Sequence, residues 1–507
     1  MALRVLELGK MDRLSSPKTI AVIGAGPAGL AAAYQLSKKG GEVHVFEASG
    51  AVGGLARTID LWGQKVDLGP HRFFSSDPRV NKVWLEIIGD DYEMVNRLTR
   101  IYYHGRFFFY PLRPFNALAN LGILEATRCM TSYGVQRFQR AIDQPCFENW
   151  VVRRFGRRLF EIFFKTYSEK LWGVRCTEID SDFAAQRIKK LSLWEAIRNA
   201  FSRRSGTGHK TLVDQFAYPH GGSGELYTRM AQYVRASGGT VECNRPVQRV
   251  LTSNGRVTGL EFETGEQRLF DEVVSTMPIG QLVTRLPRVP PRIAAAAKAL
   301  KFRNTILVYL KVEGTDLFPD NWLYIHSPEL RTGRITNFRN WVPQLYGSEQ
   351  STILTLEYWC NDEDSIWRRE DQSLVALASD ELRRTGLIKN APISAGHVHR
   401  IRRCYPVYNC GYKGTLNLVE QYLSGIAGLT VIGRYGAFKY NNQDHSILMG
   451  LLAAENIVEK AGHDLWAVNT DYEYQENTVI TKTGLSRQSR KPIGVSTPTP
   501  AATLRPA

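Results

Sequence analysis

The stretch KTIAVIGAGPAG at residues 18–29, followed by EVHVFE at residues 42–47, decides how this chain begins to fold. An apolar run ending at Gly24 reads as a buried strand. The helical pattern from about Ala28 to Lys38 and a second strand from Glu42 to Glu47 complete a βαβ unit that opens a parallel sheet. Gly24-Ala25-Gly26-Pro27-Ala28-Gly29 has the spacing G-x-G-x-x-G. Gly24 permits the tight turn, Gly26 lets backbone amides approach a pyrophosphate, and Gly29 allows the helix to lie close to the strand. The helix start at Ala28 then offers unpaired N–H groups and a partial positive charge. Glu47 lies 23 residues beyond Gly24, placed to accept hydrogen bonds from a ribose diol and to disfavour a 2′-phosphate. FAD or NAD fits such a site; NADP does not.

Six residues after Glu47 the chain reads Gly53-Gly54-Leu55-Ala56-Arg57-Thr58. A second glycine pair with a trailing cation suits an extended pyrophosphate running away from the helix, which favours FAD. The 507 residues suggest about three folding units, or two with one interrupted. With 43% apolar and 22% charged residues the chain can bury a sizeable core. No apolar run is long enough for a spanning helix, and residues 1–17 lack the apolar block of a secretory signal. Lys plus Arg exceeds Asp plus Glu by 65 to 49, a net charge of +16 spread along the chain. That dispersed excess favours anionic small molecules or an acidic surface, so no nucleic-acid partner is expected and peripheral membrane association is compatible. Seven cysteines without a C-x-x-C pair argue against structural zinc and a disulfide framework, so no metal site and a cytoplasmic setting are expected.

The pattern predicts an α/β protein: a Rossmann-type FAD-binding domain interrupted by a helical insertion and an antiparallel β-sheet substrate domain. The FAD domain is drawn from residues 18–77, 216–285 and 426–462, after an N-terminal extension over 1–17. Residues 78–215 read as helical, rich in Arg and aromatics, and residues 286–425 as the antiparallel sheet, with runs such as NTILVYLKV and STILTLEYW. Asn254-Gly255 marks a hairpin turn. Residues 463–507 form a C-terminal extension whose part after 486, rich in Pro, Ser and Thr, is expected to be disordered.

Several separated segments resemble the UDP-galactopyranose mutases, within the larger group of amine oxidases, phytoene desaturases and protoporphyrinogen oxidases. They are Gly69-Pro70-His71-Arg72, Tyr110-Pro111-Leu112-Arg113, Tyr167-Ser168-Glu169-Lys170-Leu171-Trp172, Ala185-Gln186-Arg187-Ile188, and Arg303 ahead of NTILVYLKV. Tyr405-Pro406, Gly433-Arg434-Tyr435-Gly436 and Lys439-Tyr440 through Asn442-Gln443-Asp444-His445-Ser446 continue the series. The resemblance implies that His71 faces the flavin and that Arg187 and Arg303 clamp the substrate pyrophosphate, these three being the catalytic group. It assigns Tyr110, Arg113, Tyr167, Trp172, Tyr405 and Tyr440 to the substrate. It assigns Gly24, Gly26, Ala28, Gly29, Glu47, Gly53, Gly54, Leu55, Arg57, Val247, Gly433, Arg434, Asn442, Gln443 and Ser446 to FAD.

The activity so implied is interconversion of pyranose and furanose nucleotide sugars, for cell-surface glycan synthesis, through a covalent adduct between reduced-flavin N5 and the sugar. It requires a nucleotide-sugar substrate and an external electron donor. Two guanidinium groups suit a diphosphate, since each charge-assisted hydrogen bond contributes about 1.5–3 kcal/mol. Arg113 stands where the eukaryotic-type mutases tend to have an uncharged amide, and Trp341 where a tyrosine is expected, so the sugar and nucleotide are left open. The rival reading is an FAD-dependent oxidase or desaturase of a hydrophobic substrate, similar to protoporphyrinogen oxidases. A third is a flavin-bearing scaffold at an anionic membrane surface, suggested by the net charge and basic tail.

Overall fold

The structure, a computed structural model, describes residues 18–110, 112, 114–138, 146–181, 215–469, 478–481 and 484–487. Strand Thr19–Ile23 lies at the centre of a five-stranded parallel sheet ordered Leu429–Val431, Glu272–Ser275, Thr19–Ile23, Glu42–Phe46, Thr240–Glu242. These strands come from three distant stretches of chain, within the boundaries expected for the FAD domain. Ala21 and Val22 are both fully buried, as a parallel strand covered on both faces requires. Helix Pro27–Lys38 packs against Glu225–Ala236 and Gln443–Glu459. The last of these starts with a reciprocal cap: the Asn442 side chain accepts from the His445 amide, while the Asn442 amide donates to His445 Nδ1 at 3.2 Å.

A second sheet has seven strands, ordered Ile393–Pro406, Phe302–Glu313, Ser351–Cys360, Arg334–Asn337, Trp322–Ile325, Thr99–Tyr103, Arg106–Phe109. Two features correct the sequence reading. Its last two strands come from the stretch expected to be helical, and Thr99–Tyr103 joins Trp322–Ile325 in parallel, so the sheet is mixed. The hairpin TRIYY–HG–RFFF has left-handed residues at its tip, His104 at φ 47° and Gly105 at φ 75°, the geometry of a two-residue hairpin turn. Strand Tyr92–Asn96 from the same stretch pairs with Gln215–Pro219. Much of the remainder of that stretch is helical, including Ile123–Phe138, Phe147–Phe155 and Thr166–Trp172. The Asn254-Gly255 hairpin forms as expected, with φ of 50° and 72°, between Val247–Ser253 and Arg256–Phe262.

Candidate active site

A cleft of about 1160 Å³ is lined from both sheets. Its nucleotide-facing part is the glycine loop after Thr19–Ile23. The Gly24 amide donates to Phe46 O at 2.8 Å, and Gly53 donates to Ala25 O at 2.8 Å, so the two glycine turns are bonded to each other. Gly24 has φ +98°, and a β-carbon on Gly29 would fall 2.0 Å from Gly24 O. The first position needs the left-handed region; the second needs the space. Gly54 closes against Gly26, where a β-carbon would meet Gly26 Cα at 3.0 Å. Glu47 is held in place, its carboxylate accepting from the Ala25 amide at 2.8 Å and the Ser49 amide at 2.9 Å.

Further along, the loop carrying His71 meets the start of helix Gln443–Glu459. Gln443 Nε2 donates to His71 O at 3.3 Å, and its Oε1 accepts from Tyr227 at 2.6 Å and Ser223 at 3.2 Å. His71 Nε2 lies 3.0 Å from Leu68 O. A carbonyl only accepts, so Nε2 carries the proton and Nδ1 is an acceptor. Burial, aided by the charges of Arg334 and Arg434 and opposed by the Leu68 bond, lowers the His71 pKa to about 4. The ring is neutral at physiological pH.

The second sheet contributes a buried, polar and aromatic wall. Arg334 Nη2 donates to Glu357 Oε2 at 2.8 Å and to the Tyr405 hydroxyl at 3.1 Å. Arg334 Nε and Glu357 Oε1 are both buried without a hydrogen-bond partner, and both residues line the cleft. Burial pushes the Glu357 carboxyl above its ordinary value, against the pull of Arg334. Burial opposes the Arg334 charge too, but Glu357 and the neighbouring tyrosines more than offset it and hold the guanidinium protonated. An ion pair left half-satisfied in low dielectric is costly, and such places are where ligands complete the bonding. Beside it Tyr405 and Tyr440 stack with centroids 5.5 Å apart, and Arg434 sits 4.8 and 4.4 Å from the two rings. Arg434 is fixed by the carbonyls of Cys404 (2.9 Å) and Asn441 (2.8 Å).

The sequence profile of flavin-containing amine oxidoreductases matches residues 27–458. The chain belongs to this family. Among curated relatives, the coproporphyrinogen III oxidase of Mycobacterium tuberculosis is 23% identical over 466 residues, covering 83% of this chain and 96% of that one. A neurosporene-forming phytoene desaturase of Cereibacter sphaeroides is 26% identical over 336 residues, covering 59% and 61%. Of solved structures, reduced UDP-galactopyranose mutase superposes with a TM-score of 0.77 at 23% identity, covering 90% of this chain and 100% of that one. Cyclohexylamine oxidase from Brevibacterium oxydans gives 0.61 at 16% identity, covering 88% and 100%. At these identities the structural likeness establishes the fold.

A flavin of the FAD type is the family's cofactor, and the residues present fit it. Of those expected to hold it, Gly24, Gly26, Ala28, Glu47, Gly54, Leu55, Val247, Gly433, Arg434, Asn442, Gln443 and Ser446 all line the cleft. Gly29 and Gly53 stand behind the lining and shape the two turns. Arg57 lies outside the lining, its Nε buried without a partner.

The substrate residues need more correction. His71, Tyr405 and Tyr440 line the cleft; Arg187 and Arg113 lie outside the described residues. Arg303 does not line it. Its guanidinium is buried, donating to the carbonyls of Leu171 (3.3 Å), Lys170 (3.2 Å) and Trp359 (2.9 Å) and lying 3.5 Å from Asp364. A β-carbon on Gly173 would fall 2.3 Å from Arg303 Cζ, so the glycine ending the Tyr167–Trp172 motif makes room for this arginine. Lys170 of that motif is likewise occupied by the carbonyls of Ile325, Ser327 and Thr332. Trp172 is buried and stacks on Tyr408 at 6.2 Å, behind Tyr405 and Tyr440. Tyr167 stacks on His326 at 4.8 Å, and both Tyr167 and the half-exposed Tyr110 abut Tyr324 edge-on. None of these three rings lines the cleft: Trp172 lies behind Tyr405 and Tyr440, and Tyr324 stands at the cleft beside Tyr167 and Tyr110. Arg334, Glu357 and Tyr324 were not read from the sequence; the only local signal was a charged residue inside each of two strands otherwise rich in buried positions.

Proposed function

We propose that this flavoprotein is a nucleotide-sugar mutase that interconverts pyranose and furanose forms of UDP-galactose or a related nucleotide sugar, with FAD working in its reduced state. The observation carrying this reading is the Arg334–Glu357 pair, with unused bonding capacity on both partners, among the phenols of Tyr324, Tyr405 and Tyr440. Such a wall matches a diphosphate joined to a polyol and mismatches a hydrocarbon. Reduced flavin, when bound, supplies an electron-rich nitrogen that reacts at the anomeric carbon of the sugar.

The chain's own residues supply position and charge. Arg334 takes the clamping role first expected of Arg303, its free N–H groups holding the diphosphate near the carbon it must return to. Arg187 is its partner in this reading, and Arg113 serves the base end. Glu357 Oε1 accepts a hydrogen bond from a sugar hydroxyl, and the Tyr405 and Tyr440 hydroxyls donate where a second carboxylate would repel phosphate. Neutral His71 adds no charge beside the flavin, so Arg434 sets the positive potential that favours the reduced, anionic cofactor. The cycle is redox-neutral, and an external donor need only reduce the flavin at the outset.

The test is incubation of dithionite-reduced protein with UDP-galactofuranose, following pyranose formation by chromatography. Turnover that appears only after reduction supports the mutase; equal turnover with oxidised flavin overturns it. The coproporphyrinogen III oxidase relative, which aligns over 83% of this chain, favours a second reading: oxidation of a hydrophobic substrate. Oxygen consumption with coproporphyrinogen III, and no response of the reduced flavin spectrum to any nucleotide sugar, would put that reading first.

A further inference from the structure

Helix Ile123–Phe138 turns an apolar side to solvent. Ile123 is 86% exposed, Leu124 81%, Val135 58% and Phe138 93%, with Met130 at 46%. Five of the ten large apolar side chains exposed by the described residues fall on this one helix. Leu124, Val135 and Phe138 recur at helical spacing on one side, where Thr127, Arg128 and Thr131 lie among them. The other side faces the protein. Cys129 is buried, the Arg158 amide donates to Ser132 Oγ at 3.1 Å, and Gly156 lies so close that its β-carbon would fall 2.9 Å from Tyr133 Cα. The exposed side is thus fixed in place with nothing of this chain, among the described residues, covering it. An apolar surface of this extent marks an interaction site.

Its surroundings are basic. Residues 114–160 contain seven arginines and no lysine, against three acidic residues. Arg153, Arg154 and Arg157 on the neighbouring helices are exposed, and Arg154 lies over the Trp150 ring at 3.7 Å. Glu125 is engaged with Arg158 and Arg128 and Glu148 with Arg157 at 2.9 Å, Asp143 lies outside the described residues, and Glu161, just past this stretch, pairs with Arg158 at 3.2 Å. Exposed apolar side chains, an aromatic ring beneath an arginine and a rim of exposed guanidinium groups that outnumber the nearby carboxylates match an anionic lipid–water interface. A second copy matches poorly, because a two-fold interface would bring Arg128 and Arg154 of both copies into one contact. No helix among the described residues is long and apolar enough to cross a membrane, so a helix of this kind would lie along the surface.

We propose that the outer side of helix Ile123–Phe138 docks on an anionic phospholipid bilayer. Ile123, Leu124, Val135 and Phe138 enter among the acyl chains, and Arg128, Arg154 and Arg157 sit at the level of the phosphates. The inference is independent of which reaction the cleft performs.

The test is flotation of the flavin-loaded full chain with vesicles of phosphatidylcholine alone or mixed with phosphatidylglycerol. Flotation with the mixed vesicles is expected, at least tenfold stronger than with phosphatidylcholine and suppressed by high salt. Leu124→Asp with Phe138→Asp should weaken binding at least tenfold while flavin content and melting temperature stay at wild-type values, since both side chains are already exposed. Arg128→Glu with Arg154→Glu should abolish the preference for the anionic lipid. Failure to float with the mixed vesicles, or unchanged flotation of the Leu124/Phe138 variant, overturns the proposal. So does a wild-type dimer by light scattering that this variant converts to monomer without any lipid binding.

Discussion

At the scale of single residues, the arginine that reaches the cleft wall is Arg334, which the sequence reading did not single out, and not Arg303, which it did. Arg334 pairs with Glu357 in the cleft wall and keeps donors in reserve, whereas every group near Arg303 consumes its guanidinium. Arg334→Ala should raise KM for the nucleotide sugar about 10- to 100-fold, the loss of one charge-assisted contact of roughly 1.4–2.8 kcal/mol. Arg334→Lys, which restores charge without the planar fork, should recover only part of it. Steady-state kinetics of the two variants decides this: an unchanged KM in both removes Arg334 from the substrate site. Arg303→Ala should behave differently, destabilising the fold by about 2–4 kcal/mol through orphaned carbonyls while leaving KM in the folded fraction near wild type. Denaturant unfolding alongside kinetics separates the cases, and a raised KM without loss of stability would return Arg303 to the substrate. The fingerprint residues were legible because a glycine turn, a helix start and a strand-ending acid are local. Arg334 was not, since its role comes from strands Arg334–Asn337 and Ser351–Cys360 lying side by side and setting it against Glu357. Strand pairing of that kind leaves no mark in either stretch alone.

At the scale of elements, the cofactor site depends on two helices that approach more closely than side chains ordinarily permit. Gly450 of Gln443–Glu459 rests on Pro27–Lys38, where a β-carbon would lie 2.5 Å from Ala28 O and 2.7 Å from Ala32 N. Both contacts are backbone and cannot yield as a side chain would. The N-terminal residues of both helices, Pro27 and Ala28 on one and Gln443 and Ser446 on the other, line the cleft. Gly450→Val should therefore part the helices at the cofactor and weaken FAD binding at least tenfold, read from flavin fluorescence on titration of the apoprotein; wild-type affinity would show that the cradle tolerates the displacement. The parallel strands were legible as continuous apolar runs bounded by glycine. The hairpin Thr99–Tyr103 and Arg106–Phe109 was not, because arginines spaced among aromatics resemble the charged side of a helix. Only His104-Gly105, both left-handed in the structure, argues locally for the turn.

At the scale of the whole molecule, one buried residue, Asp67, joins the cofactor domain to the large sheet. Asp67 accepts from Thr58 Oγ1 at 2.6 Å, Tyr218 at 2.7 Å and the Ser223 amide at 3.2 Å, while its backbone carbonyl accepts from Tyr309 of strand Phe302–Glu313 at 2.9 Å. The Gly221-Gly222-Ser223-Gly224 stretch ahead of helix Glu225–Ala236 is one of the four segments meeting here. Burial pushes the Asp67 carboxyl up to about 7, although the hydrogen bonds from Thr58, Tyr218 and Ser223 pull the other way. In the unfolded chain the same group releases its proton near pH 4. Between those values the native state binds the extra proton, so this residue's contribution to stability falls as pH rises through the window and is fully lost above about pH 7. The change amounts to roughly 2–4 kcal/mol. Asp67→Asn keeps the shape and the hydroxyl partners, which can reverse donor and acceptor, but cannot ionise. The variant should therefore gain on the wild type steadily between pH 5 and pH 7 and level off by pH 8, and groups common to both cancel in the difference. Melting temperatures of the pair across that range provide the measurement. A difference that does not change with pH would mean that Asp67 ionises as it does in water, and that the junction between cofactor domain and sheet carries a charge at every pH at which the protein works.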